Sequence, residues 1–292
     1  MTRQQFKIIT VPFYPVLGDV DKNLQRVTEA AENILKSEDD VSLLVFPELA
    51  LSGYVLENLI AYAEVEPGDK RLKRLKKISE TCPVIMGTVL LQNYHFYNSA
   101  FIFASGELKA IQKKIYLPTY GMFDESRYFS NGETLKTFDM PFGRCAVLIC
   151  EDAWHPALAY SLYIRRVSHV FIISASPSRE FHDENQQSFL SHQGWQKRLQ
   201  VYAESFGQFY FYVNRSGVED GVFFNGESFA VSPSGDVFQP VVKKEAYHVF
   251  SFTNEELISA RMKGGPFHEE NFTLNQKIIE ESLRERNEQE SN

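Results

Sequence analysis

Apolar residues recur along this chain with two periods, and the alternation between them predicts the order of elements. The run at 6–14 (FKIITVPFY) is rich in β-branched and aromatic residues and reads as a strand. At 21–35 the period changes. Leu24, Val27, Ala30, Ala31, Ile34 and Leu35 return at helical spacing and predict an amphipathic helix. The segment 42–46 (SLLVF) is short and continuously apolar, as in strands covered on both faces. A helix at 70–80, a strand at 84–90 and two strands at 97–104 and 108–114 follow, the last two joined by an SGE turn. The pattern then predicts a strand at 144–150 (RCAVLIC), a helix at 156–166, a strand at 169–175 (HVFIISA) and a long helix over 185–206. Strands at 210–214, 227–232, 237–240 and 248–253 lead to two closing helices, at 254–262 and 274–288, with a charged, frayed end over 284–292.

No repeat, low-complexity tract or long linker interrupts this order. Strands alternate with helices at first and return in meanders later. The expectation is one mixed-sheet α/β domain, two sheets stacked with helices outside.

Charge and cysteine usage narrow the setting. A net charge of -8 opposes nucleic acid and anionic membrane as partners. The one basic run, KRLKRLKK at 70–77, places Leu72 and Leu75 at i,i+3 and reads as a helix with a solvated basic face. No stretch approaches the ~18 consecutive apolar residues of a membrane span, and the N-terminal MTRQQFKIITVPF does not read as a signal peptide. Three cysteines, Cys82, Cys145 and Cys150, lack metal-ligand spacing and suit a reducing compartment, so a cytoplasmic location is expected. The seven histidines form no H-E-x-x-H arrangement, and His268-Glu269-Glu270 reads as tail surface, so neither a metal nor a cofactor is expected.

Three segments place reactive side chains where an apolar strand ends. In VFPELALSGY (45–54), Glu48 follows the SLLVF strand directly, and Pro47 stops that strand. A carboxylate at the mouth of a buried strand is partly desolvated, which suits general-base work. In KKIYLPTYGMFDESRYF (113–129), Lys114 ends a strand before a turn-rich stretch, where an ammonium can meet an oxyanion. In CAVLICEDAWHP (145–156), Cys150 sits at a strand-to-turn position at the carboxyl edge of a sheet, where α/β ligand sites lie. Positive charge nearby would lower its thiol pKa. Cys145 has the opposite parity and points to the other face. Each residue alone fits a structural role: a salt-bridge acid, a surface lysine, an inert core thiol. Trp154, next to the third segment, reads as packing.

The combination FPE-L-x-x-x-GY, K-x-x-LP and C-E-D-x-W, in that order from about residue 6 to 252, resembles the nitrilase superfamily of carbon-nitrogen hydrolases. The resemblance implies a four-layer α-β-β-α sandwich with mixed sheets, in which Glu48 is the general base, Lys114 the oxyanion-stabilising lysine and Cys150 the nucleophile. Glu125 in FDESRYF matches a second glutamate that holds the lysine. The flanks KIYLPTYGMFDESRYF and CEDAW are similar to the glutaminase domain of glutamine-dependent NAD synthetases, which implies an acyl pocket lined by Tyr120, Phe123, Glu151 and Ser176. Two departures stand out: REFHDENQQ follows ISASPS in place of an aromatic and Gly-Lys, and FNGES replaces FDG-x-S. No phosphate-cradling glycine pattern is present, so a hydrolase acting alone is the simpler expectation.

The resemblance therefore implies a cofactor-free amidase acting on a small polar amide through a thioester, with ammonia released. A nitrilase acting on C≡N, or a glutaminase subunit feeding a separate synthetase, are the alternatives. Residues 1–265 are expected to form the hydrolase domain and 266–292 a helical extension. The 156–166 helix (PALAYSLYIRR) and the 185–206 helix are more apolar than a single buried stripe requires. A homodimer or larger homo-oligomer that buries Tyr160 and Tyr163 is expected.

Overall fold

The computed structural model describes residues 5–121, 123–178, 190–243, 246–262 and 269–290. The chain opens with β1 (Gln5–Thr10), α1 (Val20–Ser37) and β2 (Val41–Val45), then passes β3 (Glu64–Val65) to α2 (Lys73–Ser79). A meander of β4 (Val84–Gln92), β5 (His95–Ala104) and β6 (Glu107–Lys113) follows. Next come β7 (Thr137–Met140), β8 (Gly143–Ile149), α3 (Pro156–Ile164), β9 (His169–Ser174), α4 (Leu190–Phe206) and β10 (Phe209–Asn214). A hairpin of β11 (Ser216–Glu219) and β12 (Val222–Asn225) precedes β13 (Ser228–Val231), β14 (Val237–Phe238), β15 (Val241–Lys243) and β16 (Tyr247–Thr253). The described chain closes with α5 (Glu255–Met262) and α6 (Phe272–Glu290).

One sheet runs β15-β16-β1-β2-β4-β5-β6, with β3 beside β4, and the other runs β14-β13-β10-β9-β8-β7. β1, β2 and β4 are parallel neighbours, as are β8, β9 and β10, so each sheet gathers strand C-termini at one edge. The strands' unbroken apolar runs follow from cover on both faces. Ile8, Leu43, Val45, Ile85 and Ile102 meet Val147, Ile149, Phe171 and Phe211 between the sheets. Their neighbours of opposite parity, Ile9, Leu44, Met86 and Phe101, pack under α1 and α2 with Leu24, Val27 and Leu75. Ala146, Leu148, Val170 and Ile172 pack under α3 and α4 with Leu162, Trp195 and Leu199. The result is the four-layer α-β-β-α sandwich.

The structure corrects several spans. β1 stops at Thr10, four residues short of the predicted run. Val11 still donates to Val45, but Pro12 has no N–H to continue the ladder. The strand predicted over 237–240 is β14, which ends at Phe238, and β3, β7, β15 and the β11–β12 hairpin were not expected. α4 is seen from Leu190; 185–189 lie outside the described residues. The end of the chain is helical to Glu290, with i,i+4 pairs Lys277–Glu281 and Arg286–Glu290 on its surface. The basic run forms a solvated face as expected: Arg71 meets Asp69 and Asp21, Arg74 meets Glu32, and Lys77 meets Glu80. No described helix is long and apolar enough to cross a membrane.

His169 lies in the middle layer, stacked 5.3 Å from Phe209 and edge-on to Phe142 at 5.0 Å. Burial lowers its pKa to about 3. The unfolded imidazole binds its proton near pH 6.5 while the folded one stays neutral, so stability is full above that pH and falls as the pH drops towards 3. One such group contributes a slope of about 1.4 kcal/mol per pH unit. Urea unfolding of a His169→Gln variant between pH 4 and 6 is expected to lose that part of the wild-type slope. Equal slopes in the two proteins would contradict it.

Candidate active site

Glu48, Lys114 and Cys150 sit where strands from both sheets end. Glu48 follows β2 and is fully buried. Its Oε1 accepts Lys114 Nζ and Asn98 Nδ2, each at 2.7 Å, and its Oε2 accepts the Ala175 N–H at 2.6 Å. Ala175 follows β9, so this carboxylate ties one sheet to the other. Among the described residues Oε2 accepts nothing else, which leaves it a lone pair. Its backbone is held by close approach to β4. Gly87 N–H donates to Pro47 O, and a Cβ on Gly87 would meet Leu49 N at 2.3 Å and Glu48 Cα at 2.6 Å. Gly132 backs Lys114 in the same way, with its N–H on Lys114 O and a Cβ contact to Lys113 O of 2.6 Å.

Lys114 Nζ also donates to Glu125 Oε1 at 2.7 Å, and the Tyr54 hydroxyl donates to the same oxygen at 2.5 Å. Burial disfavours the Lys114 ammonium. The Glu125 and Glu48 carboxylates beside it outweigh burial and hold its pKa well above the ordinary lysine value. Glu125 is pushed up, first by its burial and then by Glu48, against the pull of Lys114. Lys114 is thus a fixed cation between two carboxylates, not a surface lysine.

Cys150 directly follows β8 with φ 45°, a left-handed conformation that a non-glycine residue adopts at some strain. The chain then enters the 3-10 turn Cys150–Trp154, and α3 follows with Pro156 in its first turn. Cys145 lies between the sheets while Cys150 faces the α3–α4 side, as strand parity requires. The Ser174 hydroxyl donates to Cys150 Sγ at 3.2 Å. The expected lowering of the thiol pKa is not found: burial and then the Glu48 charge raise it, and Lys114 and Ser174 only partly offset them. Such a thiol keeps its proton until a base removes it.

Asp152, also fully buried, joins the two reactive turns. Its Oδ1 accepts the N–H groups of Ile115 and Tyr116, just after Lys114, and its Oδ2 accepts that of Ile149, just before Cys150. Burial raises its pKa to about 7, against the opposing hydrogen bond from Tyr116.

The other expected residues divide. Tyr120 donates to Glu151 Oε2 at 2.7 Å, and Phe123 stands edge-on to both Tyr120 and Tyr54, at 5.7 and 5.9 Å. An aromatic arc therefore runs from Glu125 to the residue after Cys150. Ser176 is engaged by the scaffold instead: its N–H donates to Asn214 and its hydroxyl accepts the Trp195 indole N–H. Trp154 packs edge-on to Trp195 at 5.1 Å and under Arg198. Glu270 is more than tail surface, since it accepts the Tyr160 hydroxyl. A cavity of about 190 Å³ lined by Tyr54, Leu56, Ile60, Glu125, Tyr128 and Phe129 lies behind the Tyr54–Glu125 pair; Cys150 and Lys114 do not line it. Among the described residues no three His, Cys, Asp or Glu side chains are grouped to hold a metal.

Sequence reading missed Tyr54, Asn98, Ser174 and Gly87. Asn98 inside YNSAFIF and Gly87 inside VIMGTVL were the available signals, a polar group and a glycine in runs that are otherwise core strand.

Residues 5–246 match the model of the carbon-nitrogen hydrolase family, and the chain belongs to that family. It is 32% identical over 248 residues to a glutamine-dependent NAD(+) synthetase of Acinetobacter baylyi, a match covering 84% of this chain and 44% of the relative. A probable nitrilase of Schizosaccharomyces pombe is 26% identical over 84% of this chain and 87% of its own length. The fold matches Saccharomyces cerevisiae Nit3, a member of branch 10 of the nitrilase superfamily, with a TM-score of 0.75, 22% identity and coverage of 90% and 95%. The chain spans less than half the length of the NAD(+) synthetases it matches.

Proposed function

We propose that this carbon-nitrogen hydrolase is a cysteine-dependent amidase that releases ammonia from a small polar amide through a thioester. The observation that carries the reading is the buried Glu48–Lys114–Glu125 array beside a protonated thiol at a strained strand end. In the first half-reaction Cys150 Sγ attacks the amide carbon while Glu48 Oε2 takes the thiol proton. The developing oxyanion is met by Lys114 Nζ and the Glu151 backbone N–H at the start of the 3-10 turn. One such donor contributes about 3 kcal/mol to the transition state. Glu48 returns the proton to the leaving nitrogen, ammonia departs, and the acyl group stays on sulfur. Glu48 then removes a proton from water, which attacks the thioester, and the thiol is restored with release of the acid.

Tyr120, Phe123 and Glu151 would line the acyl pocket. The Glu151 carboxylate at its mouth favours a substrate bearing a cationic or hydrogen-bond-donating group. Ser176 takes part only if its bonds to Asn214 and Trp195 are exchanged. The likeness to NAD(+) synthetases favours one second reading, a glutaminase that passes ammonia to a separate synthetase-like partner. Ammonia release from a panel of amides, ω-amides including glutamine, N-carbamoyl compounds and nitriles tests both. Turnover of simple amides by the isolated chain supports the first, and turnover only with an ATP-dependent partner supports the second. Conversion of nitriles alone would overturn both.

Assembly follows the same residues. Tyr160 accepts Asn275 Nδ2 and Tyr163 lies 6.1 Å from Phe272, so the surplus apolar face of α3 is covered partly by the chain's own α6. The unpaired apolar surface passes to α6, where Leu274, Ile278, Ile279 and Leu283 are each about half exposed. We take residues 1–265 as the hydrolase domain and 266–292 as an extension that pairs with a second copy. Light scattering is expected to give at least twice the 33.6 kDa of one chain; a monomer at micromolar concentration would contradict this.

A further inference from the structure

We propose that the buried ion pair Arg215–Glu219 is a positioning device for the site. It fixes the backbone at Tyr54 and, through the Tyr54 hydroxyl, the Glu125–Lys114 arm. The inference rests on the reading that this arm serves Cys150.

Arg215 follows β10 and is fully buried, and Glu219 at the end of β11 is almost so. Arg215 Nη2 donates to Glu219 Oε2 at 2.8 Å, and the guanidinium lies 4.5 Å over the Phe224 ring. Its Nε and Nη1 have no hydrogen-bond partner among the described residues. An arrangement of this kind is poorly explained by stability, because a well-packed apolar pair serves a core as well or better. What it does supply is a carboxylate oxygen for main chain elsewhere. Glu219 Oε1 accepts the N–H groups of both Tyr54 and Val55, at 2.7 and 2.8 Å. The loop is shaped to let it in: Gly53 has φ 81°, and a Cβ there would sit 2.8 Å from Glu219 Oε2.

From Tyr54 the contacts lead inward. Its hydroxyl reaches Glu125 Oε1, that oxygen also holds Lys114 Nζ, and Lys114 holds Glu48. Tyr54 would otherwise be carried by a loop with turns on both sides of it. The β11–β12 hairpin is itself anchored, by the Tyr14 hydroxyl on Val218 O and the Ser216 hydroxyl on Pro12 O. Arg215 neutralises the carboxylate that two buried N–H groups need, and Glu219 transmits the position of the hairpin to the aromatic arc.

The test is a double-mutant cycle on the full chain with the best substrate of the panel. Glu219→Gln keeps the size of the side chain but sets an amide N–H₂ against either the guanidinium or the two backbone N–H groups. Tyr54→Phe removes only the hydroxyl. Each is expected to lower kcat about 10- to 100-fold, the scale of a small misplacement of reacting groups, with a smaller change in KM. The double variant is expected to fall no further than the weaker single variant, since both break one line of contacts. Wild-type kcat in Glu219→Gln, or losses that multiply in the double variant, would overturn the proposal. If Glu219→Gln does not fold, Glu219→Asp keeps the charge pair but falls short of the loop, and the same two outcomes apply to it. The rate of Cys150 alkylation by iodoacetamide, measured across the cycle against a Cys150→Ala blank, needs no substrate. Non-additive alkylation rates in a protein that hydrolyses nothing in the panel would uphold the positioning and reject the hydrolytic reading. Additive rates would reject the positioning.

Discussion

Cys150→Ala is expected to lower ammonia release by on the order of 10⁴-fold or more while leaving the fold intact. Among the described residues the sulfur is the one thiol placed beside a buried carboxylate. The Ser174 hydroxyl, which loses its sulfur partner in the variant, is a far poorer nucleophile than a thiol and is not expected to take over. The loss of one small side chain is worth about 1 kcal/mol of packing, and alanine meets the same left-handed backbone conformation as cysteine. Cys145→Ala is the control. That thiol is fully buried between the sheets, so its variant should lose a little stability and keep its rate. Ammonia assays with a thermal melt on both proteins check the pair. Equal rates in the two would remove Cys150 from the nucleophile role.

Glu48→Gln should be nearly as damaging to turnover, and it should damage the fold as well. The carboxylate accepts three donors, Lys114 Nζ, Asn98 Nδ2 and the Ala175 N–H. A glutamine offers one oxygen, and its N–H₂ must face a donor on one side. Loss of the base is expected to reduce kcat by about 10³-fold, within the range for a positioned general base. Removing one partner of a buried ion pair costs about 3–5 kcal/mol. Glu125 limits that loss by staying on Lys114. In the proposed mechanism both half-reactions use the same proton acceptor, so acylation and thioester hydrolysis should slow together. Pre-steady-state ammonia release and a denaturant melt read the two effects separately. An unchanged kcat would take the base role from Glu48.

How far these residues were legible in the sequence depends on what fixes each one. Glu48 and Cys150 stood out because each comes just after an apolar run, and Lys114 because it ends a strand before a turn-rich stretch; strands running the same way deliver such positions to one sheet edge. Local pattern could reach no further than that edge. It could not show that the Glu48 carboxylate bridges to Ala175 of the other sheet, because the bond spans 127 residues. Nor could it give the sign of the thiol's shift: positive charge is present, but burial and Glu48 outweigh it. Tyr54 and Asp152 stand inside the quoted motifs and Asn98 inside a core strand, but each gains its meaning from a partner 37 to 71 residues away in the chain. The fold was more readable than the site because covered strands and amphipathic helices carry their periods locally. The exceptions were short edge strands such as β7 and β15, with four residues or fewer and little period to detect.

The proposed hydrolysis passes through a thioester at Cys150, which intact and peptide mass spectrometry of the enzyme, quenched in acid during turnover of an amide, would capture. An added mass equal to the acyl group of the substrate is expected, confined to the peptide that contains Cys150 and lost on treatment with hydroxylamine. Steady ammonia release with the acyl group on another residue, and persisting in Cys150→Ala, would contradict it.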